Sequence, residues 1–143
     1  MRRKCNMLLS GFSLIDILTA LAVIAILAAL AYPTYMGAMR QGRRLDAMTA
    51  LTRIQLAQEK YRAVHPRYAR HLTQLGWPVD RPLSAEGFYR LQLPGKGELS
   101  QGFIAWAEPT TKGGQNLDRC RRFVLDQDGP DLQQTTAPEC WRR

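Results

Sequence analysis

The sequence predicts an α+β fold in which a long N-terminal helix, membrane-spanning in its first half and amphipathic in its second, packs on a small antiparallel β-sheet head. Three observations predict it: an apolar stretch near the N-terminus, a helical recurrence of apolar residues after it, and three short strand-like runs separated by turn residues. A chain of 143 residues has room for one small globular domain beside one anchoring segment.

The first helix half rests on residues 17–32, where every side chain is apolar except Thr19. If Ser13 and Asp16 are tolerated the stretch widens to residues 12–33, which as a helix at ~1.5 Å per residue is about 33 Å long. That length crosses a hydrocarbon core of roughly 30 Å. A secretory signal peptide is the competing reading, with Arg2, Arg3 and Lys4 as its charged region and Ala29-Leu30-Ala31 as its cleavage site. Three features weigh against it. Asp16 stands inside the apolar segment, at a cost of about 2.5–3.5 kcal/mol near a bilayer centre. Helical character continues past Ala31, and a specific hexapeptide, Gly11-Phe12-Ser13-Leu14-Ile15-Asp16, marks the junction between charged and apolar stretches.

Pro33 removes a backbone donor, and Gly37 and Gly42 follow, so a kink is expected at Pro33. Beyond it Ala47, Ala50, Leu51, Ile54, Ala57, Tyr61 and Val64 recur at helical spacing, while Arg43, Arg53, Gln58, Glu59 and Arg62 fall mostly on other faces. Pro66 ends the helix. Residues 67–87 are rich in breakers and form a surface connection. Strands are expected at 88–93, 103–107 and 122–126, with Pro94-Gly95-Lys96-Gly97 turning after the first.

Of three cysteines, Cys5 lies in the basic N-terminal stretch, whereas Cys120 and Cys140 lie near the other end. None belongs to a CxxC arrangement and neither His65 nor His71 is near them in sequence, so no zinc site is expected. A Cys120–Cys140 disulfide, and with it an oxidising extracytoplasmic compartment, is the favoured reading over two unrelated buried thiols.

The hexapeptide from Gly11 to Asp16, the apolar run and Ala31-Tyr32-Pro33-Thr34-Tyr35 resemble the N-terminus of type IV prepilins. Within the head, Arg43-Arg44-Leu45-Asp46-Ala47, Asp118-Arg119-Cys120, Leu125-Asp126 and Cys140-Trp141 resemble minor pilins of the PilE type. The resemblance implies cleavage between Gly11 and Phe12 by a prepilin peptidase and N-methylation of Phe12. It implies three regions: a leader at 1–11, a transmembrane and filament-core helix half at 12–39, and a periplasmic or extracellular head at 40–143. Asp16 stands where the family has glutamate, a carboxylate that pairs with the N-terminal ammonium of a neighbouring subunit. Implied partners are other pilin subunits, the peptidase, inner-membrane lipid and the pilus assembly platform, and the implied location is the inner membrane and then the filament. A pseudopilin of a type II secretion system is the alternative within the same architecture.

No cofactor, metal or catalytic site is expected: the sequence has no G-x-S-x-G, no phosphate-cradling glycine loop and no paired helical carboxylates. Asp126-Gln127-Asp128-Gly129 resembles a calcium loop but lacks its bidentate glutamate, so a tight turn is expected. Positive charge is the remaining signal. The formal charge is +8, falling to +5 without Arg2, Arg3 and Lys4, and arginine supplies 16 of 20 basic residues. Arginine forks bind phosphate bidentately. A disulfide would gather Arg119, Arg121, Arg122, Arg142 and Arg143 into one region, a candidate DNA or anion patch set against Asp126, Asp128, Asp131 and Glu139 in the same loop.

Overall fold

The computed structural model describes residues 13–94 and 101–142. It divides into two compact units, Met1–Met36 and Gly37–Arg143. Helix α1, Leu14–Arg62, contributes to both.

In the first unit the described chain is helical from Leu14 onward. The Ser13 amide donates to Asp16 Oδ2 at 3.1 Å. A carboxylate reaching back to the helix start satisfies an orphan donor and meets the positive end of the helix dipole. Further along, the apolar side chains have no cover among the described residues: Leu14 is 74% and Leu30 72% exposed. By length and composition this segment of α1 can cross a membrane. Pro33 lies inside α1, and the helical backbone continues through it and through Gly37 and Gly42.

In the second unit α1 buries one face, formed by Arg44, Ala47, Ala50, Leu51, Ile54 and Gln58. The expected stripe therefore holds through Ile54 and then departs. α1 ends at Arg62, so Val64 falls beyond the last turn and is 76% exposed. The polar Gln58 takes the buried position instead. Its amide nitrogen donates to the Ala69 carbonyl at 2.9 Å and its oxygen accepts from the Ala69 amide at 2.8 Å. That reciprocal pair satisfies a buried side chain and a buried turn together, and so folds the connection back onto the helix.

Three strands match the expected runs, β1 (Tyr89–Gln92), β2 (Ile104–Pro109) and β3 (Phe123–Asp126), and β4 (Gly129–Pro130) is added after a turn. They form an antiparallel sheet in sequence order, with Leu91 opposite Ala107 and Ala105 opposite Leu125. Alternation along β2 buries Ala105 and Ala107 in one cluster with Ala47, Leu51 and Ile54 of α1, while Ile104, Trp106 and Glu108 take the half-buried positions between them. Alanines on both elements let helix and sheet approach closely. Around them pack Tyr89, Leu91, Phe103, Phe123 and Leu125, with the Tyr89 and Phe123 rings edge-to-face at 5.6 Å.

The turn after β3 is an Asx turn, in which Asp126 Oδ1 accepts from the amides of Asp128 at 2.8 Å and Gly129 at 3.1 Å. The expected surface connection at 67–87 also carries structure: Leu72 is fully buried within a short 3-10 turn, and Leu83 bridges to Arg90 beside β1.

Candidate functional site

Cys120 and Cys140 are joined in a disulfide, with Cα atoms 5.8 Å apart across a separation of 20 residues. Both are fully buried in the core cluster, and Trp141 packs edge-to-face on Phe123 at 5.6 Å. The C-terminal segment is thus tied to the centre of the head.

Beside the disulfide lies a buried ion pair that sequence reasoning missed. Arg44 Nε donates to Asp118 Oδ2 at 2.8 Å and its Nη2 to Oδ1 at 2.7 Å, a bidentate fork with the two side chains 8% and 3% exposed. The same carboxylate accepts from the Cys120 amide at 3.3 Å and the Gln115 amide nitrogen at 3.2 Å. Gln115 also reaches the Tyr89 hydroxyl at 2.8 Å and the Arg40 carbonyl at 3.1 Å. Burial pushes the Tyr89 hydroxyl up to about 12, against the lowering effect of the Gln115 hydrogen bond. For Asp118 burial again acts upward, but the Arg44 fork and the Cys120 amide outweigh it and hold the carboxyl below its ordinary value.

Asp46, two residues after Arg44, accepts hydrogen bonds from the Ser84 hydroxyl and from the amides of Glu86 at 3.2 Å and Phe88 at 3.3 Å. Arg43 donates to the Gly113 carbonyl at 2.8 Å and lies 4.6 Å over the Phe88 ring. The two short motifs noticed separately, around Arg44 and around Asp118, are therefore partners. Together they lock α1 to the β1 entry and to the turn before Cys120.

The five arginines of the candidate patch are not equivalent. Arg122 forks onto Glu108 Oε1, from Nε at 3.0 Å and Nη2 at 2.6 Å, and stacks 4.6 Å over Trp106. Arg119 lies 3.9 Å from Glu139, an exposed pair worth little. The side chains of Arg121 and Arg142 make no hydrogen bond or ion pair among the described residues. Arg121 and Arg122 line an open cleft of about 470 Å³ with Glu108, Asn116, Gln134 and Thr136. Arg142 lies elsewhere, in a depression with Gln41, Gly42, Arg44, Leu45 and Met48. Arg143, and the junction residues Gly11 and Phe12, lie outside the described residues. Among the described residues no three His, Cys, Asp or Glu side chains are arranged to hold a metal.

A long N-terminal helix and a small four-stranded antiparallel head define a type IV pilin fold. A solved structure described as the high-resolution structure of a type IV pilin from Shewanella oneidensis matches 73% of this chain and 99% of its own, with a TM-score of 0.51 and 23% sequence identity. At that identity the likeness bears on the fold. The family model described as "Type IV minor pilin ComP, DNA uptake sequence receptor" matches residues 33–124. The chain belongs to this family of type IV minor pilins, and is a minor pilin subunit. A search of curated proteins gave no match. The family match begins after the apolar run, so it is independent of the N-terminal hexapeptide.

Proposed function

We propose that the chain is made as a prepilin, cut between Gly11 and Phe12 and methylated on Phe12, and that residues 12–39 hold it in the inner membrane with the head at 40–143 on the periplasmic side. From there the assembly platform moves it into the filament. The carrying observation is that the apolar face of α1 in the first unit is exposed all round, beginning with Asp16 in its first turn. Such a surface needs lipid before assembly and neighbouring helices after it. In the filament Asp16 pairs with the Phe12 ammonium of an adjacent subunit, and the two charges leave water together. A peptidase, a lipid bilayer and an assembly platform are the partners this requires. Intact-mass measurement of membrane-extracted protein is expected to give a chain beginning at Phe12 with one added methyl group. A chain beginning at Tyr32 would instead mark a released signal peptide.

The family description supports a second role for the same subunit, as a receptor for incoming DNA. The side chains that serve it are those without partners among the described residues, Arg121 in the Glu108 cleft and Arg142 by the helix. Arg122 contributes less, since Glu108 already holds it. Binding of the full mature chain in neutral detergent to duplex DNA is expected to weaken with salt, at roughly 0.9 in logarithmic slope per phosphate contacted. Replacing Arg121 and Arg142 with alanine is expected to lower the slope by about 1.8. An unchanged slope would remove these two side chains from the contact.

A further inference from the structure

We infer that the base of the head carries a docking surface for anionic lipid headgroups, formed by Arg40, Arg43, Lys112 and Arg142 around the α1 turns at 40–45. The inference rests on the membrane-anchored reading above.

Arg40, Arg43 and Lys112 converge on the Gly113–Gly114 turn and the Phe88 ring. Arg43 donates to the Gly113 carbonyl at 2.8 Å, and Arg40 Nη2 lies 3.8 Å from the position a Cβ on Gly114 would take. Lys112, next in the chain, donates from Nζ to the Glu86 carbonyl at 2.6 Å. Arg43 and Lys112 both approach the Phe88 ring, at 4.6 and 5.0 Å from its centroid. Arg142 reaches the neighbouring side of the same turns, beside Gln41, Gly42 and Leu45. Gly113 and Gly114 have φ of 57° and 70°, left-handed values that suit glycine and bring this turn against the two arginines.

None of these four side chains is paired with a carboxylate among the described residues. Of the acidic groups near these cations, Asp46 and Glu86 line a depression with Arg43, and Glu86 is ion-paired with none of the four among the described residues. Asp46 is engaged by Ser84 and two amides, and Asp118 is consumed by Arg44. Arg40 Nε is buried and has no hydrogen-bond partner among the described residues. Like charges gathered around neutral carbonyls and an aromatic ring repel one another in the lone chain, and an external anion relieves that repulsion.

Sequence position favours lipid as the anion. Arg40 is eight residues beyond Tyr32, the end of the apolar run, which along a helix is ~12 Å. When the run spans a bilayer, a residue so placed lies a few ångströms outside the headgroup layer, which adds about 5–7 Å to each side of the core, and within a Debye length of an anionic surface, where each basic residue strengthens attachment roughly fivefold. Before assembly this surface would hold the head against the membrane.

The test places the full mature chain in nanodiscs of phosphatidylcholine, with and without about 30% phosphatidylglycerol, and follows amide hydrogen exchange across Lys112–Leu117. Phosphatidylglycerol is expected to slow exchange there roughly fivefold or more. High salt and the double variant Arg40→Gln/Lys112→Gln are expected to abolish the difference, while Arg40→Lys/Lys112→Arg keeps it. Equal exchange in both disc types, with the chain incorporated, overturns the lipid surface and leaves the anchoring reading intact. A chain that does not enter discs at all overturns both. Equal protection by short duplex DNA added to phosphatidylcholine discs reassigns the surface to nucleic acid and overturns the lipid assignment.

Discussion

Alanine in place of Asp118 is expected to lower the unfolding free energy of the head by about 3–5 kcal/mol, because it leaves the Arg44 guanidinium charged, buried and without its partner. The loss also reaches the Cys120 amide and Gln115, which donate to the same carboxylate. Against a typical domain stability of about 5–15 kcal/mol this is a large fraction. Denaturant unfolding of the oxidised protein measures it. Replacing both partners with apolar residues, Arg44→Met with Asp118→Leu, is expected to recover much of the loss, since no charge is then stranded. A single-variant loss below ~1 kcal/mol would mean that Arg44 finds water or another acceptor, the cost range of an exposed pair.

The same network sets how stability depends on pH. Asp118 has a folded value below its ordinary one, so the unfolded chain takes up its proton first as pH falls. Its contribution is complete above about pH 4 and is lost as pH drops through the lowered folded value. Tyr89 acts at the other end. Its hydroxyl, raised to about 12, keeps its proton in the fold after the unfolded chain has lost it near pH 10, so stability falls as pH rises between these values.

Local chemistry made part of the fold legible. The apolar run, the buried face from Ala47 to Ile54 and the three strands each follow from a short-range pattern, and the Cys120–Cys140 pair from cysteine placement. What was hidden depended on partners far away in sequence. Arg44 stands between Arg43 and Leu45 in an arginine-rich stretch, and nothing local distinguishes it from a solvated side chain. Asp118, 74 residues on, is what makes its burial tolerable. Gln58 is a polar residue among the apolar ones of α1 and reads as outside their stripe, but the turn at Ala69 offers it both a donor and an acceptor. The arginine patch follows in sequence from joining Cys120 to Cys140, which says nothing of where each side chain points. Glu108 comes from a different strand and takes Arg122 out of the patch, which leaves Arg121 and Arg142 on separate surfaces.

Removing the disulfide by Cys120→Ser/Cys140→Ser is expected to cost about 3 kcal/mol, the chain-entropy value for a loop of this length. For a head of this size that is a fall in Tm of roughly 10–20 °C. Calorimetry with and without reductant measures it, and alkylation of the unreduced exported protein is expected to label neither cysteine. An unchanged Tm on reduction would mean that the Phe123–Trp141 contact and the surrounding core hold the C-terminal segment unaided. The cross-link acts mainly on the unfolded chain and the Arg44–Asp118 pair on the folded one, so at distant sites their losses would add. Here they are neighbours, since Asp118 Oδ1 accepts the Cys120 amide. Without the bridge the turn carrying Asp118 is freer to expose its carboxylate and let Arg44 reach water. The combined variant Asp118→Ala/Cys120→Ser/Cys140→Ser is therefore expected to lose less than the sum of the two separate losses, by about 0.5–3 kcal/mol.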